Sequence, residues 1–220
     1  MKRVAGMGHE ERRKRDQQAL RNRILDAARE LFADLGYEAV TMRKIAEKIE
    51  YSPTTIYLHF SDKDALLREL CSADFLSLAA CFRAIGEEPD PVARIKAIGR
   101  AYIEFAQAHP NHYRLMFMTP HPPVSEEDRR ITKGNLDEDA WAILVAAVAD
   151  AQREGLIRFD AGEASAVAQV FFSGVHGVMA LHLAKANDPW IGWTPLREAS
   201  ERMMATLIRG FSAPGTGPVR

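Results

Sequence analysis

The stretch TMRKIAEKIEYSPTTIYLHFSDKDALL, residues 41–67, decides the fold of the N-terminal part of this chain. Its pattern predicts two short helices joined by a tight turn, followed by a polar segment that starts a third helix. Thr41 is a suitable N-cap for a helix that runs through Ile49. Ser52 and Pro53 combine an N-cap residue with a proline at the first helical position, so a second short helix begins there.

The segments on either side of this pair of helices are also predicted to be helical. Apolar residues over the segment 24–35 recur at the spacing of one helix face, and Gly36 follows where a C-terminal glycine can adopt a positive φ. The second short helix is predicted to end near His59. Ser61 with Asp64 resembles a capping box for the helix that comes next.

Helical periodicity continues through the rest of the chain, and we find no convincing alternating strand. The pattern predicts about nine helices: three in a small N-terminal unit, one connector and a bundle. The expected fold class is therefore all-α. The predicted divisions are a basic disordered arm (1–17), a helix-turn-helix domain (18–64), a helical bundle (65–211) and a disordered tail (212–220).

Composition and charge narrow the class of protein. The chain has 220 residues, of which 47% are hydrophobic and 27% charged, as in ordinary soluble globular proteins. No apolar run approaches the ~20 residues that a membrane helix needs. The charged N-terminus lacks the apolar segment of a signal peptide, so we expect a cytoplasmic protein with no membrane partner. Residues 1–63 carry 13 Lys/Arg against 10 Asp/Glu, and the basic arm either meets phosphates or is a solvated tail.

Patterns of catalytic or metal-binding residues are not evident in the sequence. We find no nucleophile–base pair, paired carboxylates or phosphate-binding glycine loop, so we expect no enzyme and no cofactor. Cys71 and Cys81 lie ten residues apart on one predicted helix. That spacing is roughly 15 Å, too far for a disulfide. His109 and His112 suggest a metal site, but Pro110 interrupts them and no third ligand is evident.

The second short helix carries side chains suited to DNA. A helix-turn-helix can place its second helix in a major groove ~12 Å wide. The residues predicted to be exposed on it are small or flat groups that form hydrogen bonds: Thr54, Thr55, Tyr57 and His59. Hydroxyls suit phosphate oxygens and threonine methyl groups suit thymine, while Lys63 supplies a cation at the edge. The alternative is an ordinary surface helix with capping threonines.

Residues 24–70 resemble the N-terminal domain of TetR-family transcriptional regulators. The residues that match the spacing of that family are Thr41, Ile45, Ala46, Ser52, Tyr57, His59, Phe60, Lys63 and Leu66. The resemblance implies a DNA-binding domain whose phosphate contacts are Thr41, Tyr57, His59 and Lys63. It implies base contacts from Thr54 and Thr55 at the start of the helix that Ser52 and Pro53 open. Arg43 is a candidate for either role.

The turn between the two short helices departs from the family pattern. TetR-family regulators usually have Ala-Gly-Val where this chain has Ile49-Glu50-Tyr51. Glycine relieves a positive-φ position there, so we expect strain of about 1 kcal/mol at Glu50. The carboxylate of Glu50 also places a negative charge near the DNA.

Residues 101–118 and 171–183 resemble one TetR subfamily, named for a Trp-His-Gly motif in its effector domain. Here the triplet is Val175-His176-Gly177. The resemblance implies a bundle for ligand binding and dimerisation, and a ligand pocket needs apolar walls with a few polar anchors. The candidate pocket residues are Tyr102, Phe105, Met116, Phe117, Trp141, Phe172, His176 and Met179. The alternative is that these side chains are ordinary core.

The resulting hypothesis is a ligand-responsive, homodimeric transcriptional repressor. The last two predicted helices, roughly 164–185 and 195–210, are rich in small residues and could form a four-helix interface between two subunits. A two-fold dimer presents two recognition helices about 34–36 Å apart to a near-palindromic operator. An unidentified, largely apolar effector would release the dimer from DNA. The alternative is a helical ligand carrier or adaptor without DNA binding.

Overall fold

The computed structural model describes residues 4–86, 88–120, 130–158 and 163–212, with side chains from residue 10 onward. Within these residues the chain forms nine helices: α1 (Val4–Leu35), α2 (Met42–Lys48), α3 (Pro53–Tyr57), α4 (Lys63–Arg83), α5 (Pro91–Ala108), α6 (Pro110–Phe117), α7 (Ala140–Arg153), α8 (Ala164–Lys185) and α9 (Leu196–Phe211). The predicted all-α fold class is confirmed. The segment 213–220 of the predicted tail lies outside the described residues.

The helices fall into two compact units. Unit 1 consists of Met1–Asp74 and Pro110–Arg130, and therefore contains α1, α2, α3, the first part of α4, and α6. Unit 2 consists of Phe75–His109 and Ile131–Arg220, with the end of α4 and the helices α5, α7, α8 and α9. This division rests on packing alone, so the functional boundary predicted between residues 64 and 65 stays a prediction.

Unit 1 is built around the apolar face of α1, which contacts α2 and α6. The largest of its fully buried side chains come from five helices: Ile24, Phe32, Ile45, Ile56, Leu66, Tyr113 and Leu115. The structure buries Ile24, Ala27, Ala28 and Phe32 of the face predicted for α1, whereas Leu35 at its end is 49% exposed. Helix α6 completes this core, although the chain returns to it only after α5.

The N-terminal end of α4 differs from the capping box that the sequence suggested. Asp62, rather than Ser61, caps the helix, because its Oδ1 accepts a hydrogen bond from the Ala65 amide at 2.6 Å. This bond holds the pKa of Asp62 below its usual range. Asp64, the expected partner of Ser61, instead accepts a hydrogen bond from the Tyr37 hydroxyl. A carboxylate at a helix N-terminus gains from the helix dipole as well as from the hydrogen bond, which favours Asp62 over Ser61.

The segment 4–17, predicted to be a disordered arm, forms the first turns of α1. Its Glu, Arg, Lys and Gln residues are good helix formers. Lys14 Nζ lies 3.2 Å from Glu10 Oε1, the pairing expected of residues four apart on a helix. The prediction of disorder is wrong for this segment, because a helix nucleated by the apolar face of α1 extends through residues that favour it.

Unit 2 packs α5, α7, α8 and α9 around a second core. Its buried side chains include Ile95, Ile98, Tyr102, Leu144, Val148, Phe171, Val175, Met179, Met204 and Ile208. A Cβ placed on Gly99 would lie 2.5 Å from Met204 Sδ, and one on Gly174 would lie 2.6 Å from Met203 Sδ. These glycines let α5 and α8 approach α9 within one chain. Part of the small-residue content predicted to serve a subunit interface therefore serves packing inside the chain.

Helix α8 carries apolar side chains that the described part of the chain leaves exposed. Val170 is 47% exposed and Leu181 is 53% exposed. Among the described helices, α8 is the one long and apolar enough to cross a membrane, by a weak test that core helices of soluble proteins also pass. Polar side chains, among them Gln169, His176 and His182, interrupt the apolar sequence of α8.

Candidate functional site

The first turn of α2 carries two of the predicted DNA contacts. Thr41 has extended backbone (φ −127°, ψ 156°), and its Oγ1 accepts a hydrogen bond from the Lys44 amide at 3.2 Å. A hydroxyl that accepts one bond can still donate its proton, so the exposed Thr41 keeps a donor for a phosphate oxygen. Arg43 has an 81% exposed side chain, whose Nε lies 2.9 Å from Glu47 Oε1. Exposed pairs are worth less than about 1 kcal/mol, so a phosphate can replace Glu47.

The turn between α2 and α3 is a Schellman motif without its usual glycine. Glu50 has φ of 61° and is the one non-glycine residue with positive φ among those described. Its amide donates to Glu47 O at 3.2 Å, and the Tyr51 amide donates to Ala46 O at 3.0 Å. These are the two bonds that define the motif. The predicted positive φ at Glu50 is confirmed, and the turn keeps its hydrogen bonds despite the missing glycine.

Helix α3 has only five residues and begins at a cap that also fixes one of its threonines. Ser52 Oγ accepts a hydrogen bond from the Thr55 amide at 3.2 Å and lies 2.8 Å from Thr55 Oγ1. Pro53 occupies the first helical position, as predicted. Thr55 therefore uses its hydroxyl inside the helix, whereas Thr54 is exposed. Of the two predicted base readers, Thr54 is the better placed to meet a ligand.

The C-terminal end of α3 presents flat and apolar groups to solvent. Tyr57 is 54% exposed and His59 is half-buried. Leu58, which was not among the predicted contacts, is 81% exposed. An apolar side chain beside hydrogen-bonding residues suits the methyl group of thymine. The sequence held a signal for it, because Ile56 must face the core and a residue two positions further on a helix points away from that face.

Lys63, at the start of α4, has a structural partner in addition to its predicted phosphate role. Its Nζ donates to Tyr37 O at 2.9 Å and lies 3.8 Å from the centroid of the Tyr37 ring. Burial and the hydrogen bond to Asp64 raise the pKa of Tyr37 to about 12. An ammonium group has three donors, so one carbonyl bond leaves Lys63 able to bind an anion. Lys63 thus also fixes the start of α4 to the loop that follows α1.

Four of the predicted ligand residues form an aromatic cluster in unit 2. The Tyr102 hydroxyl on α5 lies 2.9 Å from His176 Nδ1 on α8. The Phe172 ring meets Tyr102 edge-on at 5.5 Å and Trp141 at 6.3 Å between centroids. Burial lowers the pKa of His176, so its neutral form is favoured. The cluster offers aromatic faces, a half-exposed indole on Trp141 and one polar pair.

The other four predicted ligand residues are placed differently. Phe105 and Met179 are buried in the core of unit 2. Met116 is buried and Phe117 is half-buried, and both lie on α6 in unit 1. The structure therefore brings together the Tyr102 cluster and assigns the two α6 residues to a separate unit.

The two histidines that suggested a metal site have other neighbours. The His109 ring packs on Phe105 with centroids 5.2 Å apart. His112 Nδ1 lies 2.9 Å from Asp74 Oδ1, the same oxygen that accepts from Arg29 Nη2 at 2.9 Å. Within the described part of the chain, no group of three or more His, Cys, Asp or Glu side chains is placed to hold a metal ion.

Comparison with known proteins finds a family match in the N-terminal part of the chain and another in the C-terminal part. Residues 24–70 match the family described as "Bacterial regulatory proteins, tetR family", and residues 95–209 match the "Tetracyclin repressor-like, C-terminal domain". The HTH-type transcriptional regulator UidR of Escherichia coli K12 is 39% identical over 66 residues, which are 30% of this chain and 34% of UidR. The HTH-type transcriptional regulator YvkB of Bacillus subtilis is 26% identical over 191 residues, 87% of this chain and 96% of YvkB. A solved structure of a protein of unknown function from Rhodococcus sp. RHA1 superposes with a TM-score of 0.68 at 29% identity, covering 88% of this chain and 96% of that one.

The exposed, N-capped α3 that follows α2 is typical of a helix-turn-helix, and UidR and YvkB are both described as HTH-type transcriptional regulators. The chain belongs to the TetR family of bacterial regulatory proteins, since the C-terminal match alone covers more than half of it. The match to UidR spans only about a third of that protein (34%), so what the whole of UidR does is not transferred to this chain.

Proposed function

We propose that this chain is a cytoplasmic, homodimeric repressor that binds a near-palindromic operator and leaves it when a small apolar molecule binds. The observation that carries the proposal is the surface of α3, where a Ser52 cap and a complete Schellman turn present Thr54, Tyr57 and Leu58 to solvent. Hydroxyl and apolar groups on a short exposed helix suit the edges of bases in a major groove.

The proposal includes a role for each of the DNA-facing residues. Thr54 and Thr55 are the base readers, and Ser52 with Pro53 sets where their helix starts. Thr41, Tyr57, His59 and Lys63 hold phosphates, and Arg43 serves either role. The hydroxyl of Thr41 and the ammonium of Lys63 each make one structural bond and retain donors for an anion.

Dimerisation through α8 and α9 is supported by the apolar surface that α8 leaves exposed at Val170 and Leu181. Uncovered apolar surface of this kind is what a homodimer buries. A two-fold axis at that surface would repeat α3 about 34–36 Å away, one turn of DNA.

The effector site is proposed at the Tyr102–His176 pair, with Phe172 and Trp141 as its aromatic neighbours. A neutral imidazole and a phenol provide one hydrogen-bonding anchor without a formal charge, which favours an uncharged, largely apolar ligand. The triplet Val175-His176-Gly177 supports membership of the Trp-His-Gly subfamily through its last two residues. Phe105, Met179, Met116 and Phe117 are secondary candidates.

The second candidate function, a helical ligand carrier or adaptor without DNA binding, has one observation in its favour. The carboxylate of Glu50 lies in the turn that precedes α3, where it would repel phosphates.

Selection of DNA fragments by the purified protein separates the two functions. A repressor enriches a near-palindromic sequence. The logarithm of its association constant for that sequence falls linearly with the logarithm of the salt concentration, because phosphates that contact the protein release counterions. Tyr57→Ala should weaken operator binding about tenfold, the equilibrium factor of one charge-assisted hydrogen bond. Absence of any enriched sequence at low salt would leave the carrier as the better description.

Two exposed leucines supply a matched comparison for the same titration. Leu58→Ala removes an apolar contact from α3 and should lower the preference for operator over random DNA. Leu136→Ala alters a leucine in unit 2 that is 52% exposed, and should leave operator binding unchanged. Equal behaviour of the two variants would contradict the placement of α3 in the groove.

A further inference from the structure

We propose that Arg21 and Arg23 of α1 are positioning residues for operator binding, an inference that rests on the proposed function. Each holds one of the two turns that flank α3. With five residues, α3 is little more than one helical turn and cannot set its own direction through its backbone hydrogen bonds. The buried Ile56 anchors its inner face, so the turns at its two ends decide how its outer face is presented.

Arg21 fixes the turn between α3 and α4. Its Nη1 donates to His59 O at 2.8 Å, and its guanidinium carbon lies 4.2 Å from the centroid of the Phe60 ring. On α4, Nε donates to Glu69 Oε1 at 3.1 Å, and Nη2 pairs with Glu69 Oε2. One planar guanidinium therefore joins α1, the end of the recognition helix and α4.

The same contacts argue that Arg21 does not itself bind phosphate. Three of its five N–H donors point at protein oxygens, and its side chain is only 28% exposed. Glu69 neutralises its charge and is also approached by Arg130, whose Nη2 lies 3.2 Å from Glu69 Oε2. A guanidinium held by a two-oxygen fork would have to give up these bonds to reach DNA.

Arg23 fixes the turn between α2 and α3. Its Nη2 donates to Ile49 O at 3.3 Å, and its guanidinium carbon lies 5.4 Å from the centroid of the Tyr51 ring. Ile49 and Tyr51 are the neighbours of Glu50, the residue that occupies a glycine conformation. Valine, which the family pattern has at the position of Tyr51, offers no ring for a cation. The Arg23–Tyr51 contact therefore accompanies the departure from Ala-Gly-Val and supports the turn that lacks glycine.

The contacts of the two arginines differ in strength. Arg23 is exposed and makes one long hydrogen bond, whereas Arg21 is half-buried and makes three. We therefore assign the larger effect to Arg21. Together they let α1, a long helix packed on the core of unit 1, set the direction of both ends of α3.

The decisive experiment titrates the selected operator with Arg21→Lys and Arg21→Gln across a salt series. Positioning predicts that both variants bind roughly 10- to 100-fold more weakly, the factor for losing charge-assisted hydrogen bonds, with the salt slope unchanged. Lysine cannot reproduce the planar fork or the stack on Phe60. If lysine retained the affinity of the wild type and glutamine lowered the slope by about one charge, Arg21 would be a phosphate contact and the proposal would fail.

Glu69→Gln gives an independent contrast, because the two roles predict opposite signs. Removing a negative charge near a phosphate contact should tighten DNA binding. Removing the carboxylate that ties Arg21 to α4 should instead weaken DNA binding. The double variant with Arg21→Gln should then bind DNA only slightly more weakly than either single variant. Tighter binding by Glu69→Gln overturns the proposal.

The Arg23 half is tested at Tyr51. Tyr51→Val removes the ring and should weaken operator binding several-fold, whereas Tyr51→Phe keeps the ring and should bind like the wild type. If Tyr51→Phe bound operator as weakly as Tyr51→Val, the hydroxyl of Tyr51 and not its ring would matter. The proposed positioning role of Arg23 would then be wrong. Arg153→Gln, at an exposed ion pair on α7, is the matched control and should leave binding unchanged.

Amide hydrogen exchange of the free protein supplies a readout that needs no DNA. In Arg21→Gln, the amides of His59 and Phe60, which donate to Ile56 O, should exchange about tenfold faster, while core amides of α1 stay protected. Unchanged exchange at those two amides overturns the proposal even if affinity falls. If the wild-type protein binds no operator, the proposed function is wrong. If the wild type binds and the variants bind equally well, only the proposed role of the arginines is wrong.

Discussion

Glu50 illustrates how one residue can be unfavourable locally and still belong to a well-formed turn. Its φ of 61° is the left-handed region, which glycine adopts without steric cost. The two hydrogen bonds of the Schellman turn and the Arg23–Tyr51 contact hold it there. The strain and the hydrogen bonds can be separated by substitution.

Glu50→Gly should raise the free energy of unfolding by about 1 kcal/mol, because it removes the positive-φ penalty. It should also tighten DNA binding by removing a negative charge. Urea denaturation and operator titration measure the two effects. Glu50→Ala is the control, since it removes the charge but keeps the strained backbone, and should improve affinity without improving stability. A less stable glycine variant would contradict the assignment of strain.

Asp74 is a buried charged residue in unit 1. It is 2% exposed and its carboxylate meets both Arg29 of α1 and His112 of α6. Removing the carboxylate of a buried pair leaves the guanidinium of Arg29 without its buried counter-charge, which costs about 3–5 kcal/mol.

Asp74→Ala should therefore lower the free energy of unfolding by about 3 kcal/mol or more, measured by urea denaturation. Asp26→Ala is the matched control, because Asp26 also pairs with Arg29, at 3.3 Å, but its side chain is 72% exposed. Its loss should change stability by less than about 1 kcal/mol. Similar losses for both variants would show that burial does not determine the strength of these pairs.

Single residues also show where sequence is a sufficient guide. The caps Thr41 and Ser52 were predictable because an N-cap depends on residues three positions away. The contacts of Arg21 could not be predicted in this way, because its partners lie 38 and 48 positions further along the chain. The exposure of Leu58 could be inferred from its offset from Ile56, whereas the choice of Asp62 over Ser61 required knowing where α4 begins. Local sequence patterns predict the helices, whereas the roles of the side chains on them depend on tertiary contacts.

At the scale of helices, the close packing of unit 2 depends on glycines that sequence alone marks only as helix-weakening. Gly99 lies on α5 where a side chain would meet Met204 and Phe171, both buried. Gly177 lies on α8 with nothing within 4 Å of where its Cβ would be. The same residue type is therefore required at one helix position and unnecessary at the other. The residues of the aromatic cluster could be proposed from the subfamily resemblance, but the assignment of Met116 and Phe117 to unit 1 could not, because a sequence pattern does not say which helices pack together.

Gly99→Ala should destabilise the protein by about 1–2 kcal/mol, because overpacking outweighs the gain in helix propensity. Gly177→Ala should be neutral or stabilising by up to about 1 kcal/mol. Thermal unfolding at one fixed protein concentration compares them. A more stable Gly99→Ala variant would mean that Met204 moves aside without cost.

At the scale of the whole molecule, the exposed side chains of α8 and the spacing of operator half-sites are linked through the proposed dimer. A charge placed in an apolar subunit interface must be buried without a partner, which costs several kcal/mol. Operator binding would then fail for want of a second recognition helix, even with α3 intact.

Val170→Lys should raise the dissociation constant of the dimer at least about 100-fold, measured by sedimentation, and weaken operator binding in parallel. Leu136→Lys, a leucine of similar exposure outside α8, should do neither. A Val170→Lys protein that still sediments as a dimer would place the interface on another surface.

The return of α6 to the first unit has a consequence for synthesis and for dissection of the protein. A ribosome must add residues 75–109 after the helix-turn-helix has emerged before Tyr113, Leu115 and His112 become available to finish its core. The nascent N-terminal segment therefore waits, incompletely folded, for a helix encoded later. A gene fragment that stops after Asp74 would lack the α6 side chains of the core and the His112 contact of Asp74, so a DNA-binding fragment of this regulator should extend at least through α6.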